Sequence, residues 1–98
     1  MCDKNSKNIL LYRVDEILIN NYGKSVTTDY ESYYFKSLDK AIDKKKQLVH
    51  DWQGIHFRDS YTQAYCASDD NDISIWIGID RDHRVITELR VLIFKVEV

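Results

Sequence analysis

The densest run of groups able to act as acids, bases or ligands is His50-Asp51-Trp52-Gln53-Gly54-Ile55-His56-Phe57-Arg58-Asp59. A metal would need two histidines one turn apart on one helix face, or a closed set of three or four ligands. His50 and His56 instead stand six apart across an expected helix end. His50 therefore reads as a cation in the last helical turn, where the macrodipole favours it, and His56 as a loop residue. Asp69-Asp70-Asn71-Asp72 matches a calcium loop in composition only: with Asp69 or Asp70 as first ligand, Ser74 or Ile75 falls where glycine is required, and the closing glutamate is missing. That run reads as a solvated hairpin turn. No serine or cysteine sits in a nucleophile elbow, and three scattered glycines cannot build a phosphate loop. Paired carboxylates at Asp15-Glu16 and Asp80/Asp82 lack a partner set. These absences predict a protein that is not an enzyme, with no metal and no cofactor.

Two other patterns could bind rather than react. Lys36, Lys40 and Lys44 recur at i+4 along one helix edge, and seven tyrosines and two tryptophans are available for base stacking, as single-stranded nucleic-acid binders require. Trp76 projects between Ser74 and Gly78, opposite four isoleucines, on a face that one helix cannot also cover. Tyr61 and Tyr65, or their alternate-phase neighbours, could join it, as could Leu92, Phe94 and Val96. Exposed aromatic surface of this kind marks a partner site or a homodimer interface. The competing expectation is that an irregular segment 20–35 folds over that face and buries it.

The chain that must position these groups has 98 residues, 44% hydrophobic and 31% charged, with three glycines and no proline. That is one globular domain over 1–98, with 1–8 as a flexible polar tail. No apolar run approaches the roughly 20 residues that span a bilayer, and no signal-type segment opens the chain, so a cytoplasmic protein is expected. Cys2 and Cys66 are too far apart in sequence to suggest a disulfide framework or a zinc pair, which fits a reducing compartment. Cys66 reads as a sheet residue. The net charge of -2 excludes both a strongly basic nucleic-acid binder and a strongly acidic DNA mimic. Residues 1–50 hold nine Lys/Arg against seven Asp/Glu, and residues 51–98 five against nine. The acidic excess lies mostly at Asp69, Asp70, Asp72, Asp80 and Asp82.

Residues 9–19 read as a strand whose apolar phase moves from Leu10, Tyr12 and Val14 to Ile17 and Ile19, which calls for a bulge or for cover on both faces. Asn20 to Lys24 is a turn cluster, and 26–35 a returning strand, irregular near 29–32. Ser37 caps a helix whose stripe is Leu38, Ile42, Val49 and Trp52, with the Lys45 stem at its edge, ending near Trp52 with Gly54 as the stop. Strands follow at 61–67, at 73–79 with its four isoleucines on one face, and at 85–98, a length that asks for a bulge or a bend. The order β-β-α-β-β-β predicts an α+β domain, one helix packed on an antiparallel sheet, with the isoleucine face of 73–79 against the helix stripe.

Ile, Lys, Tyr and Asn are abundant while Ala and Gly number three each, a bias of AT-rich coding. The stretch Tyr34-Phe35-Lys36-Ser37-Leu38-Asp39-Lys40-Ala41, after a strand–turn–strand, resembles a pattern seen across residues 9–52 in small bacterial and phage proteins. In size, acidic turns and lack of catalytic residues the chain is similar to small phage-encoded inhibitors such as anti-CRISPR proteins, a profile that toxin-immunity proteins share. The resemblance implies a protein that occludes a larger partner, such as a nuclease or nucleoprotein complex. In that reading Asp69, Asp70, Asp72, Asp80 and Asp82 meet a basic cleft, and Trp76, Tyr61 and Tyr65 anchor the contact. A nucleic-acid-binding accessory protein using Lys36, Lys40 and Lys44, and a homodimeric structural protein, are the alternatives.

Overall fold

The computed structural model describes residues 10–22, 25–56, 63–70 and 72–97. The expected tail 1–8, residues 57–60, and Tyr61 and Thr62 of the expected strand 61–67 lie outside the described residues. Six elements follow one another: β1 (Leu10–Tyr22), β2 (Ser25–Phe35), α1 (Leu38–His56), β3 (Gln63–Asp69), β4 (Ile73–Ile79) and β5 (Val85–Glu97). The strands form one antiparallel sheet in the order β2-β1-β5-β4-β3, with α1 packed on one face. This is the expected α+β architecture. The C-terminal strand fills the centre of the sheet and joins the β1–β2 hairpin to the β3–β4 hairpin.

Local chemistry sets the element ends. Ser37 Oγ accepts a hydrogen bond from the Lys40 backbone N–H at 3.4 Å, and Asp39 lies in the first turn. The helix does not stop at Gly54 but continues to His56. A helical glycine costs only about 1 kcal/mol relative to alanine, too little to end a helix held to the sheet by Trp52. No bulge interrupts β1, and β2 is regular through 29–32, since their register runs unbroken from Tyr12↔Phe35 to Tyr22↔Ser25. The phase change in β1 reports instead that both faces carry apolar side chains. In β5 the expected bulge is present: the β4 register shifts between Gly78 and Ile79, leaving Ile86 unpaired.

The core lies between α1 and the sheet. Val14 from β1, Leu89, Val91 and Ile93 from β5, and Ala41, Leu48 and Trp52 from α1 are all buried there. The helix stripe is thus Ala41, Lys45, Leu48 and Trp52, rotated from the expected one; Leu38 is exposed, and Lys45 is central and buried rather than at the edge. The second correction is larger. Ser74, Trp76 and Gly78 pair with Val91, Leu89 and Thr87, so they share the helix face. Trp76 is half-buried against the core, and it is the isoleucines Ile73, Ile75 and Ile77, opposite Leu92, Arg90 and Glu88, that point the other way. Trp52 docks at Thr87, the residue paired with Gly78, and Lys45 reaches Asp69 beside Ser74, so the helix meets β4 at its two small residues. The Trp52 indole Nε1 donates to Thr87 Oγ1 at 3.1 Å, and Thr87 donates onward to Asn20 Oδ1 at 2.9 Å.

No described element lies over the other face. The segment 20–35 does not fold across it, because β2 pairs beside β1 as an edge strand. Among the described residues, no helix is long and apolar enough to cross a membrane.

Candidate functional site

The structure does not gather the acidic turns into one surface. Asp69, Asp70 and Asp72 lie at the β3–β4 turn, and Asp80 and Asp82 at the opposite end of β4. Seven strand residues separate the two by roughly 20 Å. Two of these carboxylates, Asp69 and Asp80, are occupied in closing their own turns, whereas at Asp70 and Asp72 it is the backbone that is bonded. Ser74 Oγ donates to Asp69 Oδ1 at 2.7 Å, the Asp70 N–H donates to the Ile73 carbonyl, and the Ile93 N–H donates to the Asp72 carbonyl. Lys45 reaches up from the helix, its Nζ 3.7 Å from Asp69 Oδ1, and donates to the Asp70 carbonyl oxygen. Asp80 Oδ1 accepts from the N–H groups of Asp82 and Arg84 at 2.8 and 3.0 Å, closing a turn in which His83 takes a φ of 62°. Asp82 faces Arg84 at 4.0 Å on the exposed surface, where an ion pair contributes little.

The aromatic anchors separate as well. Trp76 faces the helix, whereas Tyr65 projects from the other side of the sheet beside Ile77, and Tyr61 lies outside the described residues. The lysine edge is divided. Lys36 and Lys40 are exposed, but Lys44 lays its Nζ 4.3 Å from the centroid of the Tyr33 ring. Cys66 is an exposed thiol opposite Trp76 on β3. Among the described residues, no group of three or more His, Cys, Asp or Glu is placed to hold a metal ion.

What the fold does assemble is a cleft of about 480 Å³ where α1 leans over the β1–β2 hairpin. Glu16, Asp29, Glu31 and Asp51 line it, with Tyr33 and Trp52 among its walls and Lys44 as its cation. Glu16 and Glu31 stand directly opposite each other across the β1–β2 ladder, a pairing of like charges that weakens a sheet. The Tyr33 hydroxyl holds the pair together, 2.7 Å from Glu31 Oε2 and 3.2 Å from Glu16 Oε1. The hydrogen bond to Glu31, then desolvation, then the charge of Glu16 push the phenol well above its ordinary range, so it stays a donor. Aromatic walls and carboxylates without enough cations of their own suit a guanidinium or an ammonium group. Sequence reading passed over this site because its acids come from three elements; the visible signal was the i, i+2 pair Asp29 and Glu31 on β2.

The uncovered face of the sheet has another chemistry. Ile17 and Ile19 of β1, Leu92 and Phe94 of β5, Ile73, Ile75 and Ile77 of β4, and Tyr30 and Tyr34 of β2 share it by register. Its charges are paired within the face. Arg13 Nε lies 3.0 Å from Asp15 Oδ1, and Arg90 pairs with Glu88. Ser32 Oγ also donates to Asp15 Oδ1 at 2.7 Å, and the Arg13 guanidinium sits 4.9 Å from the centroid of the Phe94 ring.

No family model, curated protein or solved structure matches the chain.

Proposed function

We propose that the chain is a non-enzymatic, inhibitor-type binding protein that occludes a basic surface of a larger protein, such as the nucleic-acid channel of a nuclease or nucleoprotein complex. The observation that carries this reading is the like-charge pair Glu16–Glu31 kept at the mouth of an aromatic-walled cleft beside Asp29 and Asp51. Tyr33 supplies one proton to this pair, and a cation from outside would relieve the remaining like-charge repulsion. The acidic surface engaged is therefore this cleft, not the turns at 69–72 and 80–82. Steering by the cleft raises the association rate, and the Tyr33 ring, which already accepts Lys44 on its face, is the aromatic surface an arginine side chain would share.

The test is a tagged pull-down from phage-infected or native host lysate, nuclease-treated and washed in moderate salt, followed by association kinetics with the protein recovered. The triple variant Asp29→Asn/Glu31→Gln/Asp51→Asn is expected to slow association and to flatten its dependence on salt. Unchanged kinetics for that variant remove the cleft from the argument. Recovery of nucleic acid alone, lost on nuclease treatment, moves the function to exposed Lys36 and Lys40.

A further inference from the structure

We infer that the uncovered face of the sheet is the interface for a second copy of this chain, giving a face-to-face β-sandwich with the two helices on the outside. Three observations carry this, and none depends on the acidic cleft.

The first is area. Five strands about 4.8 Å apart, with lengths of 7 to 13 residues, sweep out roughly 800 Å² of sheet. A stable interface buries about 800 Å² on each partner, and apolar patches left open on monomers are smaller. As total area, polar side chains included, the face is thus sufficient for a dimer. Two twisted sheets stack about 10 Å apart at a shallow angle, with the side chains of their facing surfaces interdigitated.

The second is charge. The face holds Arg13 and Arg90 against Asp15 and Glu88, so its formal charge is zero. A twofold interface sets a surface against itself, and a surface of zero net charge meets itself without net repulsion. A strongly charged partner finds nothing to select here. The acidic cleft on the opposite side could not self-associate, because two copies would bring eight carboxylates together.

The third is that one part of the desolvation cost, that of Asp15, has already been met. Asp15 is 4% exposed in the single chain, held by Arg13 and Ser32, so covering it removes little water. The ion pairs can be buried without leaving a charge unpaired. Around them, Tyr30, Tyr34, Tyr65 and Phe94 are 40 to 59% exposed, and such side chains gain contact area at low entropic cost when covered.

Sedimentation equilibrium of the purified full chain across a dilution series should show a species of twice the 11.6 kDa chain mass, dissociating on dilution. Ile75→Lys puts an unpaired charge in the centre of the face and should weaken the dimer at least about 100-fold, while far-UV circular dichroism stays unchanged. Arg90→Glu, an exposed position, gives the face a charge of minus two and should act likewise. The swap Glu88→Arg/Arg90→Glu restores neutrality and should restore the dimer, an outcome that a folding defect cannot imitate. A chain that is monomeric at every concentration overturns the inference. A dimer indifferent to both single variants also overturns it and places the contact elsewhere, as at a sheet edge, β2 or β3. The cleft variant Asp29→Asn/Glu31→Gln/Asp51→Asn should leave the dimer intact, so loss of partner binding and loss of self-association are read separately.

Discussion

On β5, Thr87, Leu89, Val91 and Ile93 are buried under the helix, while Glu88, Arg90, Leu92 and Phe94 between them point to the side that no described element covers. The covered face is the less hydrophobic by composition at its β4 end, with Ser74, Trp76 and Gly78, yet it holds the core. The uncovered face carries Ile73, Ile75 and Ile77, while Ile79, beyond the register shift, is buried. A helix packs where small side chains let it come close and where its polar atoms find partners, as Trp52 does at Thr87 and Lys45 does at Asp70. Hydrophobicity alone does not choose the side; the choice depends on shape and on hydrogen bonds.

Paired truncations test that difference most strongly. Leu89→Ala is expected to cost about 2–5 kcal/mol in chemical denaturation, because Leu89 is fully buried and its cavity cannot collapse between sheet and helix. Leu92→Ala, three residues on and half-buried on the open face, should cost under about 1 kcal/mol in dilute solution. The contrast sharpens with concentration. Once the face-to-face dimer forms, the cost of Leu92→Ala grows with protein concentration and that of Leu89→Ala does not. Equal costs for the two in dilute solution would show that the open face is covered within the chain itself.

A smaller effect belongs to Lys45, the one buried cation among the described residues. Lys45→Ala removes the donor to the Asp70 carbonyl and the ammonium near Asp69, which ties the helix to the β3–β4 turn. About 2 kcal/mol of stability should be lost, and Lys45→Met, which keeps the apolar stem, should lose less. If the two variants behave alike, the stem rather than the charge holds the turn.

The order of elements was legible from sequence because each has its own local mark: the Ser37 cap, the period-two run 73–79, and the Asn and Asp clusters between strands. The face that receives the helix was not legible. In β4 the strongest periodic signal is the isoleucine set, and it misleads, since the helix meets β4 at Ser74 and Gly78. Lys45 reads as an edge residue in any hydrophobic pattern, and only its long-range partner at Asp70 explains its burial. The acidic cleft was illegible for the same reason. Glu16, Glu31 and Asp51 meet only after β1, β2 and α1 have packed, whereas in the conspicuous run that begins at Asp69 the first carboxylate is engaged locally, by Ser74.

The cleft itself gives a pH-dependent signature. Tyr33 holds its proton through hydrogen bonds to Glu31 and Glu16, so its folded pKa lies above the unfolded value of about 10. A raised pKa contributes stability that is fully present below that unfolded value and is lost as pH rises toward the folded one. In a spectrophotometric titration of the folded protein, one phenol should therefore ionise late. Tyr33→Phe should remove that late step and cost about 1 kcal/mol at neutral pH, by leaving Glu16 and Glu31 facing each other without the shared donor. A late step that persists in Tyr33→Phe would assign it to another tyrosine.

The smallest expected effect is a gain, and it separates the two sides of the sheet by a different route. Gly54 sits exposed within α1, and a Cβ built there meets nothing within 4 Å. Gly54→Ala should therefore stabilise the chain by about 0.5–1 kcal/mol, through a less flexible unfolded state and better helix propensity. Because Trp52 lies in the same helical segment and anchors it at Thr87, the gain should appear as slower amide exchange in the last turns of α1. Sub-global openings of the β2 edge, which do not involve the end of α1, should exchange as before. A gain spread equally over α1 and β2 would mean that the helix and the edge hairpin open together, so that the acidic cleft between them forms and is lost as one unit.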